Sequence, residues 1–428
     1  MAGRLRRELG LVPLAAVVFF NVSGGPYGIE DVVPSFGPGL SLLLLVLTPL
    51  VWSLPVSLVM SELASAMPDE GGYVTWVRRA FGPFWSFQVG WWSWLDSFVD
   101  VAIYPALFVE YLKFWWPAMT AGERWLLALA FIVGLTVLNV LGVRPVGRAA
   151  VALAVGVLVP IAALIVVGLS TVRAVPWVPF LAQGQSPGAG LGLGLAVVMW
   201  NYGGWDTPST TLGETRRPER AFAAATRVTL PIVVAGYVLP VTVALGAGID
   251  WRTWSTGSLP RIAAGVGGPW LGHAVALGAV LSTIGLFLSL VLTNSRLPFV
   301  LARHHQLPAA LNRIHERYGT PWVAIVISGA IYAGFAAFSF RELIVLNVWL
   351  YSLSLLVELA AFVRLRLAEP ALARPSRVRG GAPGMFVVAL LPALCALLAM
   401  ATAGWRNTLA GLVAAATGPA LYYALRRR

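Results

Sequence analysis

Twelve apolar stretches, each long enough to cross a bilayer or nearly so, follow one another along the chain with only charged or Pro/Gly-rich joints between them. They lie at roughly 11 to 36, 41 to 66, 84 to 114, 125 to 142, 149 to 171, 190 to 213, 224 to 249, 271 to 301, 321 to 338, 341 to 363, 383 to 403 and 407 to 425. A helix needs about 20 apolar residues to span the hydrocarbon, and a helix satisfies its own backbone there. The pattern predicts an all-α membrane protein of twelve transmembrane helices. Composition agrees, because 58% hydrophobic and 11% charged residues in a 428-residue chain, with a mean hydropathy of +0.79, cannot cover a soluble surface.

The formal charge of +12 raises the question of a nucleic-acid partner. Its placement answers it. With a cytoplasmic N-terminus, 23 of the 30 Lys and Arg residues fall in cytoplasmic segments and 7 outside. That asymmetry follows the positive-inside rule and predicts a multi-pass protein of the cell inner (plasma) membrane with both termini cytoplasmic. The basic excess then serves topology and contact with anionic membrane lipid, and no nucleic-acid partner is expected. The N-terminal segment resembles a signal peptide but shows no small-residue cleavage site, so it is expected to be retained. A single cysteine, Cys395, leaves no disulfide or cysteine metal site within one chain; no cofactor is expected.

Clustered glycines flanked by polar side chains interrupt two of the spans. One cluster is SGGPYG in NVSGGPYGIED of span 1, and the other is WNYGGWD, Trp200 to Asp206, in span 6. If spans 1 to 5 and 6 to 10 are copies of one unit, the breaks fall in corresponding elements, and the odd span number inverts the second copy. The expected organisation is a cytoplasmic N-terminus (1–10), a first five-helix repeat (11–171), an inverted second repeat (190–363), helices 11 and 12 (383–425) and a cytoplasmic C-terminus (426–428). Backbone without helical hydrogen bonds survives at membrane depth only if it is buried in protein or lines a cavity. Paired breaks therefore mark a transporter's midplane site. The plainer reading, glycines for close packing or a kink, explains one cluster more easily than two.

The surrounding motifs are specific in combination. SELASAMPDEGGYVTWVRRAFGPFWSFQVGWW matches E-L-x-x-x-x-P-x-x-G-G-Y followed by F-G and G-W pairs; GETRRPER matches G-E-x-x-x-P-x-R; SRLPFVLARHHQLPAALNRIHERYGTPW matches R-x-x-x-x-x-A-x-x-x-x-x-P and ends in G-T-P-W. Across spans 1 to 10 the chain resembles the amino acid/polyamine/organocation transporter superfamily. SGGPYGIED, GWWSWLDSFVDVAIYPALFVEYL and NYGGWD look closest to its polyamine uptake branch. The resemblance implies a LeuT-like 5+5 inverted repeat with discontinuous helices 1 and 6, and proton-linked uptake of amino acids or polyamines. Two departures stand out: Pro26 sits where many amino acid permeases offer a backbone N–H, and span 5 lacks the lysine of some proton-coupled relatives.

An amino acid substrate needs N–H donors at a broken helix to hold its carboxylate. Pro26 removes one and leaves those of Gly24, Gly25, Tyr27 and Gly28, beside Ser23. A polyamine needs the opposite, acids and aromatic faces. Ionisable groups inside spans are expensive, yet Glu30, Asp31, Asp96, Asp100, Glu110, Asp206 and Glu358 all lie there with hardly an arginine to pair them. Trp92, Asp96, Asp100 and Tyr104 recur every four residues and share one face of span 3. With Trp200, Tyr202, Trp205 and Asp206 at the second break, they are the candidates to hold an ammonium by charge and cation–π contact; Asp206 is the first choice for direct contact. Simpler roles compete: Trp92 in an interfacial belt, Asp96 bonded to hydroxyls, Glu30 and Asp31 in a wet vestibule. Glu62 and Glu214, at cytoplasmic turns, read as gate or loop ion-pair partners.

A carboxylate that alternates between dry and wet surroundings can take up a proton on one side and release it on the other, and Asp206, Asp100 or Glu110 is placed to do so. A sodium site would need span 1 carbonyls with hydroxyls of span 8 such as Ser282, Thr283 and Ser289; protons are preferred. The leading expectation is a secondary transporter whose partners are a small organic cation, protons and lipid, with an amino acid permease or exchanger as the alternative. An enzyme would need a nucleophile or metal constellation that the spans do not hold, and ATP coupling a phosphate loop that is absent.

Overall fold

The computed structural model describes residues 5–184, 197–336 and 340–426, without the side chains of 340–348 and 426. The start of the sixth expected span (190–196), residues 1–4 and the terminal pair 427–428 lie outside the described residues. Within them the regular structure is helical, and an isolated bridge joins Leu9 to Thr215.

Helix α1 (Leu11–Val22) stops at the glycine cluster, and α2 (Val32–Phe36) resumes beyond it. Helices α3 (Pro38–Thr48) and α4 (Leu54–Ala66) are joined through a π-helical turn at Pro49–Ser53. Then come α5 (Tyr73–Phe81), α6 (Pro83–Leu112), α7 (Ala121–Val140) and α8 (Val143–Ser170). Residues 197–201 are helical, and a 3-10 helix covers Thr207–Glu214. The second half adds α9 (Pro218–Gly246), α10 (Leu259–Gly267), α11 (Pro269–Asn294), α12 (Arg296–Arg303), α13 (Trp322–Phe335), α14 (Phe340–Ala368), α15 (Gly381–Thr402) and α16 (Trp405–Arg426). Every one of the twelve expected segments contains helix. Among the described residues, seven helices are long and apolar enough to cross a membrane by length and composition. This is a multi-pass membrane protein.

Helices α1 and α13 are apolar but too short for that standard, and α6 misses it because of what it carries. Helix α6 has 30 residues, about 45 Å of rise, but Asp96, Asp100 and Glu110 lower its apolarity. The short α5 and α10 were not expected; each is an amphipathic helix with one buried side. Helices α1, α6, α9, α11 and α14 pack around the glycine breaks. Leu and Val side chains of α7, α8, α15 and α16 face outward in large numbers, as lipid-facing helices require.

Candidate functional site

The first break occupies Ser23–Asp31. Gly24 and Gly25 adopt φ of 66° and 104°, where a side chain would be strained. The freed backbone groups find partners inside the chain. Gly24 N–H donates to Phe19 O at 3.1 Å, Gly25 N–H to Ser23 Oγ at 3.0 Å and Gly28 N–H to Glu30 Oε2 at 2.8 Å. Ser282 Oγ of α11 donates to Gly24 O at 2.6 Å.

The second break is supported from several helices. Tyr237 of α9 donates to Asn201 O at 3.0 Å, while Tyr202 O accepts Ser53 Oγ at 3.2 Å and Trp205 Nε1 at 2.9 Å. Tyr202 returns the service: its hydroxyl donates to Leu45 O at 2.9 Å, a carbonyl that Pro49, lacking an N–H four residues on, leaves without a helical donor. Gly204 N–H donates to the Tyr351 hydroxyl at 3.0 Å, and that hydroxyl donates to Asp206 Oδ1 at 2.6 Å. Gly204 has φ 81°, and a Cβ there would collide with the carbonyl oxygen of Asn21. The two breaks therefore press directly against each other.

Between them lies a cavity of about 60 Å³. Asn21, Val22, Ser23 and Tyr27 line it from the first break, Trp200, Asn201, Gly204 and Thr207 from the second, and Asp96, Asp100 and Tyr104 from α6. Trp52, Tyr237, Ser282 and Tyr351 complete much of the wall. Asp100 accepts Trp200 Nε1 at 3.1 Å and the Tyr104 hydroxyl. Asp96 lies within electrostatic reach of both Asp100 and Asp206. No lysine or arginine is among the described residues that line the cavity.

Both ends are shut. Beyond the first break, Glu30 Oε1 accepts the Leu259 N–H at 3.2 Å and the Tyr111 hydroxyl at 3.3 Å, and Asp31 accepts the N–H and hydroxyl of Thr256. At the opposite end, Glu214 meets Arg296 in a two-pronged, fully buried pair at 2.8 and 2.9 Å. Glu62 accepts Arg366 Nη1 at 2.6 Å and the Val378 N–H at 2.6 Å.

A family model described as amino acid permease matches residues 9–425. The chain belongs to the amino acid permease family. Within the amino acid/polyamine/organocation superfamily it groups with the polyamine transporters. The polyamine transporter RMV1 of Arabidopsis thaliana is 33% identical over 98% of this chain and 86% of its own length. The rice polyamine transporter PUT1 is 33% identical over 98% of this chain and 78% of its own. The serine/threonine exchanger SteT of Bacillus subtilis is 26% identical over 75% of this chain and 74% of its own.

The permease brings together most of the acids and aromatics singled out from sequence, with exceptions. Trp92 leaves the stripe on α6: its indole donates to Ala415 O of α16 and it does not line the cavity. Asp206 stands behind Tyr351 rather than in the wall. Tyr202 and Trp205 are buried in support of the break. Glu110 is half-exposed, paired with Lys113 at 2.6 Å, in a separate groove with Arg124.

Several lining residues had no signal in the sequence. Trp52, Tyr237 and Tyr351 sit in apolar spans far along the chain from the breaks, and only packing brings them there. Glu214, expected from GETRRPER to form an ion pair, does so with Arg296 across the fold rather than with a neighbouring arginine.

Proposed function

We propose that this permease is a proton-coupled uptake transporter for polyamines or related organic cations, working by alternating access. The observation that carries the reading is the wall of the central cavity. Asp96 and Asp100 face it directly, Asp206 stands one hydroxyl behind, and Trp200, Tyr104 and Trp52 supply aromatic faces, with no Lys or Arg among the described residues that line it. Acids taken out of water need a counter-charge, and a substrate ammonium is the fitting one.

The first break supports the same choice against an amino acid. A substrate carboxylate would need several free N–H groups there, yet those of Gly24, Gly25 and Gly28 already have acceptors and Pro26 carries no N–H, which leaves Tyr27 of the four candidate donors. The names of the plant relatives agree with a polyamine; the name of the bacterial exchanger keeps the amino acid alternative in the test. For coupling, the Ser282 hydroxyl meets the Gly24 carbonyl, the pair a sodium site would draw on, so the preference for protons rests on the acids Asp96, Asp100 and Asp206 around the cavity.

The proposed architecture is twelve spans, with 11–171 and 190–363 as inverted five-helix repeats and the termini on the cytoplasmic side of the plasma membrane. The cavity of about 60 Å³ has room for a few waters, at about 10–15 Å³ each, and not for an extended polyamine. The helices carrying the breaks must therefore move apart to load and unload.

Uptake of labelled spermidine, putrescine, arginine and leucine into proteoliposomes with an imposed pH gradient tests the reading. Spermidine or putrescine accumulation that Asp206→Asn abolishes is expected. Saturable leucine uptake that polyamines do not compete would reject the cation reading.

A further inference from the structure

Glu358, in the middle of α14, is 1% exposed, and neither of its carboxylate oxygens has a hydrogen-bond partner. It does not line the central cavity. An ionised carboxylate in that position would be desolvated with nothing to offset the cost, whereas a carboxylic acid is a tolerable neutral group. Arg78 and Arg79 lie at the far end of α5 from Tyr73, and among the described residues no cation is a charge partner of Glu358. The groups that interact with it are Asp206 from the second break, Tyr73 from α5 and Tyr351 on its own helix. Helix α6 brings Asp96, which interacts with Asp206 and Tyr73. Helix α4 brings Glu62, which Arg366 and Arg374 already occupy. Helix α15 carries no charged residue, and α16 has its arginines only near its two ends.

The position along α14 gives the group a direction. Tyr351, Ser354 and Glu358 are spaced by three and four residues and share one stripe of the helix. Tyr351 is bonded to Asp206, the Ser354 hydroxyl is buried without a partner, and two turns beyond Glu358 the same helix ends in the Arg366–Glu62 pair. Glu358 therefore stands about 10 Å along the axis from Tyr351, between the cavity and the end of the protein that Glu62 and Arg366 close.

We propose that Glu358 is the proton-binding site of the transport cycle, reached from the Asp206–Tyr351 pair through Ser354 and emptied toward the Glu62–Arg366 end. One proton arrives from the cavity with the substrate, resides on the Glu358 carboxyl while the cavity is shut, and leaves when that far end opens to water. No bond other than O–H is made or broken. The assignment deepens the proton-coupled reading above and rests on it for its role in transport, but not for the proton itself.

The test separates the two. In proteoliposomes, Glu358→Gln, a fixed mimic of the protonated acid, should exchange external for internal spermidine within about twofold of the wild-type rate. It should lose pH-gradient-driven accumulation by about tenfold or more, because exchange needs the substrate site and accumulation needs the proton. Accumulation by Glu358→Gln equal to the wild type overturns the proposal. If the wild-type protein itself ignores the pH gradient, the coupled-uptake reading fails, and infrared difference spectroscopy still decides the proton site. A protonated-carboxyl band at neutral pH, absent in Glu358→Gln and shifted in Glu358→Asp, upholds it; the same band in all three proteins sinks it. Should the Gln variant not fold, Glu358→Asp decides by itself: a shifted band upholds the site and an unshifted one rejects it.

Discussion

The indole Nε1 of Trp200 lies 3.1 Å from Asp100 Oδ1, tying the last helical turn before the second break to the middle of α6. The contact holds an acid and an aromatic face side by side at the cavity wall. It also uses one of the carboxylate's acceptor sites, for which a substrate ammonium would compete.

That competition separates the ring's two contributions. Trp200→Phe keeps a π face and loses the donor, and Trp200→Leu loses both. A cation–π contact is worth about 0.5–2 kcal/mol, so the Leu variant should show a polyamine KM about 2- to 30-fold above that of the Phe variant. Equal KM values in initial-rate uptake would remove the cation–π role.

The Tyr351 hydroxyl has two partners, accepting from Gly204 and donating to Asp206. Tyr351→Phe leaves a buried N–H and a carboxylate each short of a partner, at a cost of about 1–3 kcal/mol apiece. We expect a lower thermal midpoint in detergent together with a fall in uptake that exceeds the loss of folded protein. Unchanged transport would mean that Asp206 is positioned by something else.

Glu214 and Arg296 are both fully buried. Removing one partner strands the other's charge, so Glu214→Met should destabilise the protein by about 3–5 kcal/mol, and the double variant Glu214→Met/Arg296→Met should recover most of that loss. Thermal unfolding in detergent reads both. A double variant as unstable as the single one would show that the pair is needed for more than mutual neutralisation.

Glu70, in the turn between α4 and α5, has its carboxyl pushed up to about 7 by burial, against the opposing pull of Arg303. An acid whose folded-state value is raised binds its proton more tightly folded than unfolded. Its stability contribution is therefore full at acid pH and is lost as pH climbs from the ordinary carboxylate value of 4.5 through about 7, a change on the order of 3 kcal/mol. Neighbouring His304 is pushed down to about 4 by burial and adjacent arginines, so it stays neutral across most of this window. Glu70→Gln should flatten the pH dependence of the unfolding midpoint between about pH 5 and 7; a profile parallel to the wild type would contradict it.

Much of this molecule was legible from the chain. Hydrophobic length placed the twelve long segments, though not the short amphipathic α5 and α10, because lipid offers the backbone no alternative partner, and Gly24, Gly25 and Gly204 announced the breaks because few residues tolerate those backbone angles. The acids Asp96 and Asp100 were readable as costly exceptions in apolar surroundings. What tertiary structure alone decided is who faces whom. Helical periodicity put Trp92 on the stripe of Asp96 and Tyr104, but neighbouring α16 drew its indole away. Tyr351 reached Asp206 across 145 positions of sequence, and Arg296, rather than a nearby arginine, found Glu214. Local spacing determines a helix and its faces; the partner of each face is set by packing between distant segments, and that information is spread over the whole chain rather than written at any one site.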